Sequence, residues 1–174
     1  MGSIVAKLRP SVNGEIWMLL IRAAAVNDVP LLLRLSRELA EYERQSDAVV
    51  NKEETLIRDG FGSHPKFRSL IAEWDGQPVG YALFFDFYSS CKGSGIFLED
   101  LYVREAFRRQ GIGRALLSEV ARIARQEGSY AVRWEVLDWN ESAIRFYKSL
   151  GGKFLDECRQ VLLEADALTR LAVG

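Results

Sequence analysis

The chain of 174 residues carries 23 Lys plus Arg against 24 Asp plus Glu, a net charge of −1, with 48% hydrophobic and 27% charged residues. These proportions describe an ordinary soluble domain and argue against a broadly basic nucleic-acid-binding surface. No apolar run reaches the ~18 residues that cross a bilayer. The two cysteines, Cys91 and Cys158, sit in no CxxC spacing and are joined by one histidine, His64. That composition argues against a Cys/His metal site, so no metal is expected, and the thiols read as reduced ones in a cytoplasmic protein.

There is no repeat and no Pro/Ser-rich linker, which predicts one domain. No secretory signal is read at the start of the sequence. Folded patterning begins near Met18, so residues 1–17 are read as an N-terminal extension, added or disordered, and 18–174 as the domain. Leu19 to Ala23 reads as a strand. A helix capped by Asn27 or Asp28 runs to about Arg44, with Val29, Leu32, Leu33, Leu35 and Leu39 on one stripe. A second helix spans about Lys52 to Asp59 and stops at Gly60. Arg68–Glu73 and Val79–Tyr88 alternate as a hairpin turning at Asp75-Gly76. Gly95–Arg104 is a further strand, Gly111–Gln126 a helix with Ile112, Leu116, Val120 and Ile123 on one face, and Tyr130–Leu137 a strand. Asn140–Leu150 is a short helix, capped by Asn140 and ended by Gly151-Gly152. Lys153–Leu155 and Gln160–Leu163 suit a last hairpin. A strand meander followed by strand–helix–strand–helix predicts an α/β fold with a mixed sheet.

The strongest chemical signal lies between the Gly95–Arg104 strand and the Gly111–Gln126 helix. Gly111 and Gly113 lack side chains, so a ligand can approach the backbone closely. First-turn amides of a helix have no internal partners, and with the helix dipole they form an anion site. Arg108, Arg109 and Arg114 add positive charge, and Gln110 and Ile112 complete the loop. This pattern suits a pyrophosphate. A dinucleotide-binding GxGxxG motif would need glycine where Leu116 stands.

The loop resembles the acetyl-CoA signature of GNAT acetyltransferases, Q/R-x-x-G-x-G/A, at Arg108, Gly111 and Gly113. Glu41–Glu43, Asp59–Pro65, Leu98–Val103 and Trp139–Tyr147 are similar to the spermidine/spermine N-acetyltransferase branch, which includes thialysine acetyltransferases. The likeness covers about residues 20–172. It implies the GNAT fold, a mostly antiparallel mixed sheet flanked by helices. It implies acetyl-CoA as co-substrate, a small-molecule amine as acceptor and a homodimer. It also implies backbone contacts to the cofactor from Leu101, Tyr102 and Val103, and further contacts from Asn140, Ser142, Phe146 and Tyr147.

An aliphatic amine has a pKa near ~10.4, so freeing its lone pair at pH 7 costs about 4–5 kcal/mol. A proton acceptor is therefore required, and Glu99 is the candidate. Strand alternation is expected to send Glu99 and Asp100 to opposite faces. The tetrahedral oxyanion needs a donor, which the resemblance assigns to an amide of Leu101–Val103. The leaving thiolate needs a proton or donor, and Tyr147 suits it. Tyr42, Glu43, Glu99 and Asp100 can shape an acidic, aromatic-lined pocket for a cationic chain. Ser89 and Cys91 stand where polyamine acetyltransferases carry Asp and Trp, and Lys92 adds positive charge, which favours a shorter diamine or amino-acid amine. Two other readings stay open: a non-catalytic acyl-CoA sensor, and a protein N-terminal or lysine acetyltransferase.

Overall fold

A computed structural model of the chain describes residues 5–10 and 16–173. Up to Glu135 the chain forms one compact unit, and from Val136 it forms a second. The first holds a six-stranded sheet in simple sequence order. Its strands are β1 (Val5–Pro10), β2 (Ile16–Ala23), β3 (Arg68–Trp74), β4 (Gln77–Ser89), β5 (Gly93–Val103) and β6 (Val132–Arg133). All neighbours are antiparallel except β5 and β6. The mixed, mostly antiparallel sheet is the one expected. The β3–β4 turn has Asp75 at φ 48° and Gly76 at φ 77°, the paired left-handed residues that match the twist of a two-residue hairpin. β2 begins at Ile16, ahead of the expected Leu19, and β1 pairs with it within the stretch read as an extension.

Helix α1 (Val29–Tyr42) packs its stripe on one face of this sheet. Leu32 and Leu35 pack in one cluster with Ile71, Tyr81 and Tyr102. Asp28 stands at its N-cap position without a side-chain cap bond. Its carboxylate instead accepts from Arg22 and from the Ala25 amide at 2.8 Å, closing the turn before the helix. Helix α2 (Glu53–Phe61) runs through Gly60 and packs Leu56 against Val29 and Leu33. Helix α3 (Ile112–Gln126) buries Ile112, Leu116 and Val120. Tyr102 faces α1, so its neighbour Val103 faces the other side of the sheet, where its Cγ2 lies 3.9 Å from a β-carbon built on Gly113.

One expected strand and one expected hairpin are corrected. Of Tyr130–Leu137, only Val132 and Arg133 pair, with Ile96 and Phe97 of β5. Immediately beyond Phe97, β5 steps register: Leu98 opposes Phe84 and Asp100 opposes Leu83, leaving Glu99 without a cross-strand partner. A bulge bends and twists its strand, and β5 leaves β6 there. In the second unit, Lys153–Leu155 and Gln160–Leu163 form no hairpin, an isolated two-stranded ribbon being marginal in water. That unit contains helices α4 (Glu141–Ser149) and α5 (Ala165–Val173).

Candidate active site

The register step beside Glu99 changes the face that Asp100 takes from the one simple alternation along β5 would give it. Phe84 and Leu83 are adjacent on β4 and point to opposite faces, so their partners Leu98 and Asp100 do as well. Ordinary alternation would have put residues two apart on the same face. The extra residue therefore moves Asp100 to the face of Tyr81 and Tyr102, and Glu99 lies beside it.

Their electrostatics record the proximity. The Asp100 carboxyl is pushed above the usual aspartate range by burial, opposed by the Tyr81 hydroxyl that donates to its Oδ2 at 2.7 Å. Glu43, just past the end of α1, is raised by burial and then by the charge of Asp100. Glu99 is raised first by partial burial, then by the charge of Asp100, then by that of Glu135. Glu99 stays open to solvent, so a cationic amine can reach it. The first unit thus collects four carboxylates, and burial together with mutual repulsion holds the proton affinity of Glu43, Glu99 and Asp100 high. Glu43, Glu99 and Asp100 are the expected substrate-side residues. Glu135 was missed, because its place depends on where β6 stops, two residues earlier.

The phosphate-side loop leaves β5 through Arg104, whose guanidinium grips Glu38 at 2.7 and 2.9 Å and whose amide donates to the Val79 carbonyl. A 3₁₀ turn over Glu105–Phe107 follows. Arg109 then sits at φ 62° and Gly111 at φ 79°, both left-handed. Arg108 N bonds Glu105 O, and Ala115 N bonds Gly111 O. For the amides of residues 109–114 between them, no main-chain acceptor is found among the described residues. Alternating left-handed residues at a helix start form a concave nest of N–H groups suited to an anion. A β-carbon built on Gly113 has Val103 Cγ2 at 3.9 Å as its sole near neighbour, so the backbone there is open to approach. Arg109, Gln110 and Arg114 are exposed around this nest. Arg108 turns back: its Nε donates to Val103 O at 2.9 Å and its guanidinium lies 4.2 Å over the Tyr42 ring.

Along β5 past Phe97, β4 lies on one side and no β6 ladder lies on the other among the described residues. Part of the main chain of Leu101, Tyr102 and Val103 therefore borders an open edge, able to pair with an extended amide-bearing ligand.

In the second unit, Asn140 caps α4 through Oδ1, which accepts from the Ala143 amide at 3.2 Å. Tyr147 is buried, and its ring meets that of Phe146 at 5.3 Å. Ser142 is exposed on the first turn. Among the described residues there is no cluster of three His, Cys, Asp or Glu placed to hold a metal ion, and no helix long and apolar enough to cross a membrane.

The pattern of the Acetyltransferase (GNAT) family matches residues 32–152. The chain is 43% identical over 164 residues to a thialysine N-epsilon-acetyltransferase of Sus scrofa, spanning 88% of this chain and 96% of that one. It is 42% identical over 195 residues to L-ornithine N5-acetyltransferase NATA1 of Arabidopsis thaliana, spanning 85% of each. An integron cassette protein from V. cholerae shares the fold, with a TM-score of 0.75 at 24% identity over 90% of this chain and 98% of that one. The chain belongs to the GNAT acetyltransferase family. It is an N-acetyltransferase, and its acceptor is an amine.

Proposed function

We propose that the protein moves an acetyl group from acetyl-CoA to the terminal primary amine of a short diamine or of an amino acid with an aminoalkyl side chain. The observation that carries this reading is the bulge that brings Glu99 and Asp100 together on a strand leading directly into an open nest of amides. The bulged stretch of β5 suits a cation, and the loop that leaves its C-terminal end suits a pyrophosphate. The relatives' acceptors, thialysine and ornithine, have the same chemistry.

The nest at residues 109–114 would hold the pyrophosphate, with Arg109 and Arg114 beside it. The open edge of β5 at Leu101–Val103 would align the pantetheine amides and place an N–H at the acyl oxygen, where negative charge develops. Acetyl-CoA supplies the activated acyl carbon. Glu43, Asp100 and Glu135 attract the ammonium, and Glu99 takes its proton, directly or through one water. The freed amine attacks the thioester within one ternary complex, and Tyr147 donates to the departing sulfur. Asn140, Ser142 and Phe146 would flank the pantetheine arm. The transfer is direct and uses neither of the exposed free thiols, Cys91 and Cys158, as a nucleophile.

The Ser89–Gly93 turn stands about six residues from Glu99, roughly 20 Å along the strand. Only a long polyamine would span that distance. Ser89, Cys91 and Lys92, which stands 5.7 Å over the Tyr130 ring, offer it no negative charge. This supports a short acceptor. We further propose a homodimer in the cytoplasm. Val161, Leu162, Leu168 and Leu171 are exposed at 94, 78, 54 and 73%, apolar surface that a second copy would cover.

The test is CoA release from acetyl-CoA in the presence of thialysine, lysine, ornithine, putrescine and spermidine. The expected order puts the amino acids and putrescine ahead of spermidine in kcat/KM. Amine-independent binding with no turnover on any acceptor would favour the acyl-CoA sensor instead, and turnover on peptides alone would favour a protein acetyltransferase.

A further inference from the structure

Tyr81 is fully buried at 0% exposure, at the centre of the core between α1 and β4. Among the described residues its hydroxyl serves no backbone group. The hydroxyl's single proton goes to Asp100 Oδ2 at 2.7 Å, so Ser36 on α1 must be the donor in the 3.0 Å contact with Tyr81 Oη. Two hydroxyls from two elements thus line up on one carboxylate. The charged groups that face that carboxylate are also defined. Glu43 lies at the end of α1 and Glu99 precedes Asp100 on β5, both acidic, and Glu135 acts on Glu99. Arg108, over Tyr42 and Tyr102, brings positive charge to the neighbouring rings.

A carboxyl that is buried and flanked by like charges tends to keep its proton. A neutral Asp100 would lose its attraction for an ammonium and would cease to repel charge on Glu99. A donated hydrogen bond favours the ionised form. We propose that Tyr81 is a positioning residue for the proton transfer: with Ser36 behind it, its hydroxyl keeps Asp100 ionised at the bulge, and that fixed charge makes Glu99 the stronger proton acceptor. This rests on the reading of Glu99 as the acceptor. A phenol suits the task because burial raises its own pKa well above the ordinary tyrosine value. It therefore donates without ionising.

The test is Tyr81→Phe, which removes one oxygen and keeps the ring. Aspartate side-chain carbons are followed by ¹³C NMR in the free protein, with Asp100→Asn assigning the signal. Titration of Asp100 should move up by about one pH unit, the scale of one hydrogen bond to a charged acceptor, and the acid limb of kcat/KM should follow it. Affinity for acetyl-CoA should stay within about twofold, since the phosphate loop is untouched. Ser36→Ala should move Asp100 the same way by less. In the Asp100→Asn background, Tyr81→Phe should leave Glu99 unmoved. A folded Tyr81→Phe protein whose Asp100 titration and acid limb coincide with wild type would overturn the proposal and leave Tyr81 a packing residue. Wild type that acetylates no amine would refute the functional reading alone, while the carboxyl titration still decides what Tyr81 does to Asp100.

Discussion

The guanidinium of Arg108 stacks 4.2 Å over the ring of Tyr42 while its Nε holds the Val103 carbonyl at 2.9 Å. One side chain therefore joins the end of α1, which presents Glu43, to the strand end that opens the phosphate loop. The two halves of the proposed site are mechanically coupled through it.

Arg108→Lys retains the charge but cannot both stack as a plane and donate sideways. KM should rise for acetyl-CoA and for the amine together, each by about fivefold, the equivalent of ~1 kcal/mol for a lost cation–π contact. Steady-state kinetics with both substrates varied is the check. A rise confined to acetyl-CoA would show that the Tyr42 contact does not shape the amine side.

Gly111→Val places a β-branched residue at φ 79°, a conformation that costs non-glycine residues roughly 1–2 kcal/mol, and puts a side chain beside the amide nest. Binding of CoA by calorimetry should fall at least about tenfold. Gly128, at φ 72° with nothing within 4 Å of where a β-carbon would stand, is the control. Gly128→Val should lower the thermal midpoint similarly yet leave CoA affinity unchanged. Equal affinity losses in both variants would trace the effect to instability and not to the nest.

Tyr147→Phe should reduce kcat at least about tenfold, a threshold below the roughly 10²–10⁴-fold typical of general acid–base groups, with CoA binding preserved. A thiol of low pKa in the leaving position, supplied by an acetyl thioester analogue, should recover much of the loss. Wild-type turnover in this variant would remove Tyr147 from the mechanism.

Asp100 has a raised pKa in the folded protein, caused first by burial. The native state therefore binds more protons than the unfolded chain, and stability falls as pH rises from the unfolded aspartate value through the folded one. Asp100→Asn, still an acceptor for the Tyr81 hydroxyl, removes that penalty. Its thermal midpoint should exceed wild type by a few degrees at pH 8, about 2–4 °C per kcal/mol for a chain of this size, and the gain should vanish in acid. Activity should fall at the same time. A midpoint gain that did not change with pH would point to some cause other than the carboxylate.

The local periodicities were legible without a structure. The stripe of α1, the face of α3, the Asp75-Gly76 turn and the Asn140 cap depend on neighbours within a few residues, which propensity and patterning capture. So was the strand–loop–helix proposed to hold phosphate, because Arg108, Gly111 and Gly113 occupy one continuous stretch between a strand and a helix. Three features were not. The bulge at Glu99 is a property of the pairing between β4 and β5, and a register step leaves no mark on the spacing of either strand alone. The Ser36–Tyr81–Asp100 line joins α1, β4 and β5 across separations of 45 and 19 residues. Glu135 acts on Glu99 because β6 stops pairing at Arg133, where β5 turns away. The order of residues along the chain determined which chemistry was present. Only the folding of distant strands against one another decided which carboxylates share a face, since charges interact through space and strand register sets that space.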